Sequence, residues 1–276
     1  MSGALVDAAG RAHRRAQGVP RIVSLVPSLT ELLFDLDLGA QVVGRTGFCV
    51  HPRERVRDVP KVGGTKDVDL ARVRAAAPTH VVVNVDENEK SVADALREFV
   101  PNVVVTHPIE VEDNLSLYRL FGHVFDRDEL AEALAQRLRS EIEATRREAR
   151  DTARVLYLIW REPWMTVGAQ TYIARMLSSV GLRAVAPDSV ERYPRLDFDS
   201  FPADRFDAVL LSSEPYRFRD AHVRELQADP RLARRAVLRI DGEMASWYGS
   251  RAIAGLRYLR GFRQSLDRTL RTIATS

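Results

Sequence analysis

From Pro20 onward, short apolar runs alternate with segments in which apolar residues recur every three or four positions. Runs such as RIVSLV and THVVVNV have the length and β-branched content of buried strands, whereas PSLTELLFDLDLG and EKSVADALREFV have helical spacing. This alternation predicts a mostly parallel sheet covered by helices on both faces. Ser28 and Glu31 have the spacing of a capping box, so they are predicted to begin the first helix, and Gly39 is predicted to follow its end.

One segment interrupts the alternation. Residues 126–150 contain neither proline nor glycine, and leucine or isoleucine recurs every four positions at Leu130, Leu134, Leu138 and Ile142. The pattern predicts one long helix that connects two α/β halves. Beyond it we expect strands at RVLYLIW, LRAVAP, FDAVLLSS and RRAVLRID, a helix at DFDSFPADR and a terminal helix from about Ser250.

The predicted organisation has four parts. We expect a flexible N-terminal tail at 1–19, an N-terminal α/β lobe at 20–109, connecting helices including the long one at 110–152, and a C-terminal α/β lobe at 153–276.

Composition and charge exclude several classes of protein. The net charge of +3 is small for 276 residues, so nucleic acid is not an expected partner. Apolar runs such as VLYLIW are far shorter than the roughly 18 residues that a membrane span needs. Cys49 is the single cysteine, which excludes an internal disulfide. The first twenty residues lack the apolar region of a secretory signal, so we expect a cytoplasmic protein, or a periplasmic one if the true start lies upstream.

Aromatic residues concentrate where predicted strands end. In open α/β sheets, ligands bind beyond the carboxyl ends of the strands. All three tryptophans lie in such segments, WREPWMTVG and DGEMASWYGSR, and SSEPYRF adds a tyrosine. Large amphipathic rings at these positions favour a ligand-contacting surface. The alternative is that the tryptophans cover the sheet end while Arg161 pairs with Glu162. The predicted ligand contacts are Trp160, Arg161, Trp164, Tyr216, Trp247 and Tyr248.

Charged residues at the same strand ends are further candidates. Glu87 and Glu243 are predicted to contact a ligand, and the alternative is that they cap the next helix. Arg251 is predicted to hold a ligand carboxylate through two hydrogen bonds, with an ion pair to Glu243 as the alternative.

The segment FCVHP places Cys49 and His51 on the same side of an extended chain. They are candidate ligands of a soft or borderline metal, directly or as a single axial contact to a chelated one, with His107 or Glu243 completing a direct site. The alternative is a small buried thiol beside a loop histidine that bonds to the backbone.

Enzyme signatures are absent from the sequence. No G-x-S-x-G, Walker A or H-E-x-x-H pattern occurs. We therefore expect a small-molecule binding protein rather than an enzyme, with no cofactor required for folding. A cytosolic enzyme, or a protein scaffold that uses the long helix, is the alternative.

A family resemblance covers residues 20–265. The stretch PRIVSLVPSLTELLFDLDLGAQVVGRTGFCVHP and the later VPKVGGTKDVDLARVRAAAPTHVVV resemble the helical-backbone substrate-binding proteins of ABC importers, of the cobalamin and iron-siderophore type. The resemblance implies two Rossmann-like α/β lobes joined by a long helix, with the ligand in the cleft between them. It implies a corrinoid, another metal chelate such as an iron complex, or a directly bound divalent metal as ligand.

Several positions match the pattern of these relatives. Phe48 lies at an aromatic position, Thr65 replaces a second aromatic residue, Glu243 lies near an acidic position and Trp247 near an arginine. The relatives present one surface carboxylate per lobe to the permease. These positions hold Ala71 and Asp199 here. An ABC permease is therefore a weakened expectation, and the resemblance favours a monomeric, cytosolic branch without a leader.

Overall fold

The computed structural model describes residues 5–148 and 151–275, and the chain divides into two compact units. Unit 1 holds the residues up to Pro108, together with Glu112–Arg137 and Tyr248–Arg251. Unit 2 holds Ile109–Val111, Leu138–Trp247 and the residues from Ala252 onward. The division at 137/138 falls inside a single helix, which therefore contributes to both units.

Unit 1 is an α/β unit with a four-stranded parallel sheet in the order β4-β3-β5-β6. Its strands are β1 (Leu5–Val6), β2 (Ala12–His13), β3 (Ile22–Ser24), β4 (Val42–Arg45), β5 (His80–Asn84) and β6 (Asn102–Thr106). Its helices are α1 (Pro27–Asp35), α2 (Arg53–Val56), α3 (Leu70–Ala75), α4 (Lys90–Arg97) and α5 (Asp113–Phe125), and α6 (Asp128–Arg147) continues into unit 2. A 3-10 turn covers Gly39–Gln41.

Unit 2 contains a second, mainly parallel sheet in the order β11-β10-β7, with both β8 and β9 paired to β7. Its strands are β7 (Ala153–Trp160), β8 (Met165–Thr166), β9 (Leu182–Ala184), β10 (Ala208–Ser212) and β11 (Ala236–Ile240). The helices are α7 (Tyr172–Ser178), α8 (Asp220–Gln227), α9 (Gly242–Ser246) and α10 (Arg251–Thr275), with 3-10 turns at Ala203–Arg205 and Pro230–Leu232. Strand β8 pairs with β7 in the antiparallel direction.

The apolar runs form buried central strands, as their composition predicts. Strands β5 and β10 are buried at every position. A strand with helices on both faces needs apolar side chains in both directions, which explains continuous runs rather than alternation. The predicted fold class, two α/β units with a long helix that links their sheets in the sequence, is confirmed.

The expected flexible tail at 1–19 is instead partly structured. Strands β1 and β2 pair as an antiparallel hairpin, and Ala8 donates its backbone N–H to Val105 of β6. Asp7 accepts the Val105 N–H at 3.1 Å and contacts the His13 ring at 2.9 Å, both side chains being buried. The hairpin therefore satisfies a backbone donor on the outer strand of the unit 1 sheet, which an edge strand would otherwise leave unpaired.

The first helix does not begin as the capping box predicts. Helix α1 begins at Pro27, so Ser28 lies inside it, and no side chain caps its N-terminus. Proline suits the first helical position because it has no N–H to leave unsatisfied. Glu31 pairs with Arg251 instead of capping the helix, and Gly39 begins the 3-10 turn.

The long helix predicted at 126–150 begins at Asp128, because Asp126 adopts a left-handed conformation with φ 57° at the end of α5. Positions 149 and 150 lie outside the described residues. Leu134, Leu138 and Ile142 are buried as predicted, whereas Leu130 is 41% exposed. The helix predicted at DFDSFPADR is wrong, since only the 3-10 turn Ala203–Arg205 forms there. Pro202 precedes that turn and disfavours α conformation in the residue before it.

Candidate functional site

The carboxyl ends of the unit 1 strands expose apolar side chains. We call residues 25–28, 46–51 and 85–88, which follow β3, β4 and β5, the unit 1 edge. Phe48 is 62% exposed, Val85 50% and Val50 43%. Large apolar side chains grouped at strand ends are typical of a ligand-contacting surface rather than of the core. Sequence reasoning identified Phe48 but missed Val50 and Val85, whose exposure no periodicity indicates.

Asn88, at the unit 1 edge, links three backbone segments of unit 1. Its buried side chain donates to the carbonyl of Leu25 at 3.2 Å and to that of Thr65 at 2.9 Å, and its Oδ1 accepts the Asn84 N–H at 2.9 Å. The predicted contact Thr65 is half-buried and supplies this backbone carbonyl. A buried amide whose hydrogen bonds are all made holds backbone segments rigidly. Asn88 is therefore a positioning residue that sequence reasoning did not select.

Cys49 is completely buried beneath the unit 1 edge. Its Sγ lies 3.0 Å from the Thr30 hydroxyl and 3.2 Å from that of Thr46, and it is 3.9 Å from the Ser24 carbonyl. Burial raises the pKa of the thiol above its ordinary value, which keeps it protonated. This geometry matches the alternative of a small buried thiol.

His51 is half-buried at the end of the same segment. Within residues 5–148 and 151–275, no three His, Cys, Asp or Glu side chains are grouped so that they could hold a metal ion. Within unit 1, His107 is therefore not assembled with Cys49 and His51 into a direct metal site. His107 lies 3.6 Å from the Asp86 carboxylate.

Tyr248–Arg251 is packed into unit 1 by buried hydrogen bonds. Tyr248 donates its hydroxyl to Glu87, and burial beside that carboxylate raises the pKa of the phenol well above its ordinary value. The amide and the carbonyl of Gly249 bond to Asn114 at 2.6 Å and to Tyr118 at 2.8 Å. Gly249 has φ +76°, a left-handed conformation that glycine adopts without strain.

Arg251 forms a two-bond ion pair with Glu31, at 2.8 and 2.6 Å. The alternative partner considered for it, Glu243, lies in the first turn of α9. Glu87, Tyr248 and Arg251, which the sequence predicts as ligand contacts, are thus engaged with protein partners in unit 1. These hydrogen bonds and the ion pair fix the positions of the three side chains.

The unit 2 edge comprises residues 160–164, 213–218 and 241–247, which follow β7, β10 and β11. Trp160 is 40% exposed there, and its ring meets Tyr216 edge-on with centroids 5.6 Å apart. Tyr216 in turn lies 4.7 Å from the Phe218 ring. The structure therefore brings the predicted contacts Trp160 and Tyr216 together in an aromatic pair that leaves Trp160 accessible.

Trp164 and Arg161 have a different environment. The Trp164 ring is stacked on Phe218 at 6.0 Å and lies 5.1 Å from Phe198, so it covers the sheet end. The Arg161 guanidinium lies 5.2 Å from the Trp164 ring and binds Glu225 at 2.8 and 2.6 Å. Its approach to Glu162 is longer, at 3.7 Å.

Glu214 anchors Trp247, which is buried. One carboxylate oxygen accepts the indole N–H of Trp247 and the Ser246 hydroxyl, both at 2.8 Å. Burial raises the pKa of Glu214, and the neighbouring Glu243 raises it further. Sequence reasoning placed Trp247 and Glu243 correctly at a strand end, but it did not identify Glu214 as the group that holds the indole.

The permease positions expected from the resemblance are both on the surface. Ala71 is exposed on α3. The Asp199 carboxylate is exposed and lies 2.9 Å from Arg231. No described helix is both long and apolar enough to span a membrane.

Comparison with known proteins places this geometry in a family. The family profile described as "Periplasmic binding protein" matches residues 22–237. A vitamin B12-binding protein of Vibrio parahaemolyticus is 21% identical over 183 residues, which cover 66% of each chain. An uncharacterized ABC transporter substrate-binding lipoprotein, YvrC of Bacillus subtilis, is 25% identical over 61% of this chain and 56% of its own. The match thus spans less than two thirds of each relative's length.

Solved structures share the fold. The periplasmic vitamin B12-binding protein BtuF of Vibrio cholerae has a TM-score of 0.79 at 15% identity, covering 90% of this chain and 98% of its own. The periplasmic heme-binding protein RhuT of Roseiflexus sp. RS-1 has a TM-score of 0.76 at 22% identity, with the same coverage.

These relatives also correct one prediction. A cytoplasmic location is wrong, because the matching proteins are periplasmic or lipoprotein components and point to an extracytoplasmic location. The predicted resemblance itself is confirmed. Since the profile extends over most of the sequence, this chain belongs to the periplasmic binding protein family.

Proposed function

We propose that this protein is a receptor for a large metal chelate of the corrinoid or heme type, serving an ABC permease. The observation that carries the proposal is the exposure of Phe48, Val50 and Val85 at the unit 1 edge and of Trp160 at the unit 2 edge. An aromatic side chain can bury about 150–250 Å², and each Å² of apolar surface contributes roughly 25 cal/mol. A few such rings supply several kcal/mol before ordering costs.

The chemistry of the two edges favours a chelate over a bare ion. Exposed apolar and aromatic side chains complement the faces of a macrocycle, whereas a bare divalent ion needs several grouped donors. Such a group is not assembled in the described residues. Relatives named as vitamin B12-binding and heme-binding proteins support the same class of ligand. The ligand's position between the lobes stays a prediction of the family resemblance.

A binding role is also proposed in preference to catalysis. The relatives are named as binding proteins, and the carboxylates and hydroxyls at both edges hold backbone or side-chain partners. These contacts make rigid surfaces. A receptor benefits from rigidity because less conformational freedom is lost on binding.

Calorimetric titration of the folded protein with cobalamin, heme and a ferric siderophore tests the proposal. We expect one of the first two to bind with a stoichiometry of one. Trp160→Ala is expected to weaken that binding more than about tenfold, which corresponds to about 1.4 kcal/mol. The matched control is Leu130→Ala, which removes an apolar side chain of equal exposure (41% against 40%) from helix α6.

If neither cobalamin nor heme gives a heat of binding, the proposed class of chelate is wrong. If the ferric siderophore alone binds, the ligand is a different chelate. Equal weakening by Trp160→Ala and Leu130→Ala would contradict the assignment of the unit 2 edge.

A further inference from the structure

Unit 2 contains a cavity that is separate from the unit 2 edge. Its volume is about 380 Å³, and it extends from the beginning of β7 along β9 to the segment 185–194. None of its lining residues belongs to the unit 2 edge. Small-molecule sites commonly have volumes of about 300–1,000 Å³, so the cavity can hold a small ligand.

Three arginines line this cavity: Arg154, Arg183 and Arg205. Arg154 and Arg183 are directly paired across strands β7 and β9, so two like charges share one face of the sheet. Like charges in this arrangement repel and destabilise the pairing. A negatively charged group beside each guanidinium would therefore be energetically favourable.

Asp207 neutralises only the first of these arginines. The Nη2 of Arg154 lies 2.7 Å from Oδ1 of Asp207, and its Nε lies 3.3 Å from Oδ2. Arg183 is exposed, and Arg205 approaches the Phe201 ring at 5.6 Å. Across residues 5–148 and 151–275, neither Arg183 nor Arg205 has a carboxylate within ion-pair distance.

The lining segment 185–194 is fixed by backbone hydrogen bonds. Val185 donates to Val155 at 2.9 Å, Gly168 to Arg192 at 2.7 Å and Thr166 to Pro194 at 3.1 Å. These bonds tie the segment 185–194 to β7 and to the segment at β8. The cavity is thus built between a strand edge and an anchored segment.

We propose that this cavity binds a small oxyanion, a carboxylate or a phosphate, through Arg183 and Arg205. A guanidinium presents planar, paired donors that match both groups, and it stays charged at every physiological pH. Asp188 and Glu191 also line the cavity, and their negative charges oppose the binding of an anion. The site is independent of the chelate-binding function proposed above.

Calorimetry at low ionic strength, with citrate and inorganic phosphate as probes, tests this site. The double variant Arg183→Gln/Arg205→Gln is expected to bind the preferred anion at least tenfold more weakly. The matched control is Arg224→Gln, which removes an exposed arginine of α8 that does not line the cavity. Asp188→Asn/Glu191→Gln should tighten binding a few-fold, because it removes the repulsion. Circular dichroism confirms that each variant is folded.

Binding of citrate alone identifies a carboxylate site, and binding of phosphate alone identifies a phosphate site; both support the proposal. If neither anion gives a heat of binding at millimolar concentration, the proposal is wrong. It would also be overturned if Arg224→Gln weakened binding as much as the double arginine variant, since that would indicate a general effect of net charge.

Discussion

The unit 1 edge and the unit 2 edge use their polar groups differently. At the unit 1 edge, Asn88 holds the backbone carbonyls of Leu25 and Thr65, and Phe48 is exposed. At the unit 2 edge, polar groups hold other side chains: Glu214 holds the Trp247 indole and Glu225 holds Arg161. Asn88 therefore fixes main chain at the unit 1 edge, whereas Glu214 fixes an aromatic side chain at the unit 2 edge, as Glu87 does for Tyr248. A residue type at a strand end does not reveal which of these roles it has.

The largest effect should come from the backbone anchor of unit 1. Asn88→Ala leaves two carbonyls and one amide without a partner, and each unsatisfied buried group costs about 1–3 kcal/mol. We expect a loss of about 3 kcal/mol in the free energy of unfolding, measured by urea denaturation. Asn102→Ala is the control, because Asn102 makes one side-chain hydrogen bond, to Thr79 at 3.1 Å. If Asn88→Ala and Asn102→Ala lose equal unfolding free energy, Asn88 is not a special anchor of the main chain at the unit 1 edge.

A smaller, pH-dependent effect should come from Glu214. Its folded-state pKa is raised above the ordinary 4.5, so the native protein holds this proton more tightly than the unfolded chain. The stability that this group contributes is complete below pH 4.5 and is lost as the pH rises through the folded-state pKa. Glu214→Gln keeps an oxygen that accepts from Trp247 and cannot ionise. Relative to the natural protein, the variant should therefore become more stable as the pH rises toward 7.

Urea denaturation at several pH values measures this trend. Glu162→Gln is the control, because the Glu162 side chain is 85% exposed. If the difference in unfolding free energy between Glu214→Gln and the natural protein does not vary with pH, burial does not raise the pKa of Glu214. The unit 2 edge would then have no perturbed carboxyl group at this position.

The smallest effect should come from the ion pair between Arg161 and Glu225. The Glu225 side chain is 51% exposed, so solvent screens the interaction despite its two hydrogen bonds. A double-mutant cycle with Arg161→Gln and Glu225→Gln should give a coupling of about 0.5 kcal/mol that decreases with salt. Ligand titration of the same variants sharpens the comparison. If Arg161 contacts ligand, Arg161→Gln weakens binding and Glu225→Gln does not.

The sequence predicts well the parts of the fold that depend on local pattern. Valine-rich runs became buried parallel strands at β5 and β6, because a strand covered on both faces must be apolar throughout. The N-terminal hairpin was missed, since strands of two residues carry no periodicity. Ser28 and Glu31 had capping-box spacing, yet the proline before them begins the helix.

The candidate site was predicted only as a set of positions. Strand ends and aromatic residues indicated Trp160 and Phe48, which are exposed, and their contact with a ligand stays a prediction. Whether Arg251 is available to a ligand depends on Glu31, which lies 220 positions away in the chain. Trp160 ends β7 and Trp164 follows it by four residues, yet it is Trp164 that stacks on Phe218. Such pairings depend on tertiary packing, which one sequence does not encode in any local pattern.

The placement of Tyr248–Arg251 in unit 1 affects how the protein can be divided. They run from the end of α9 into the first residue of α10, and both chain segments that flank them belong to unit 2. A fragment that begins after α6 would carry the Gly249 amide without Asn114 and the Arg251 guanidinium without Glu31. No single break in the polypeptide therefore yields two self-sufficient pieces, and proteolytic fragments of this chain should not be expected to fold alone.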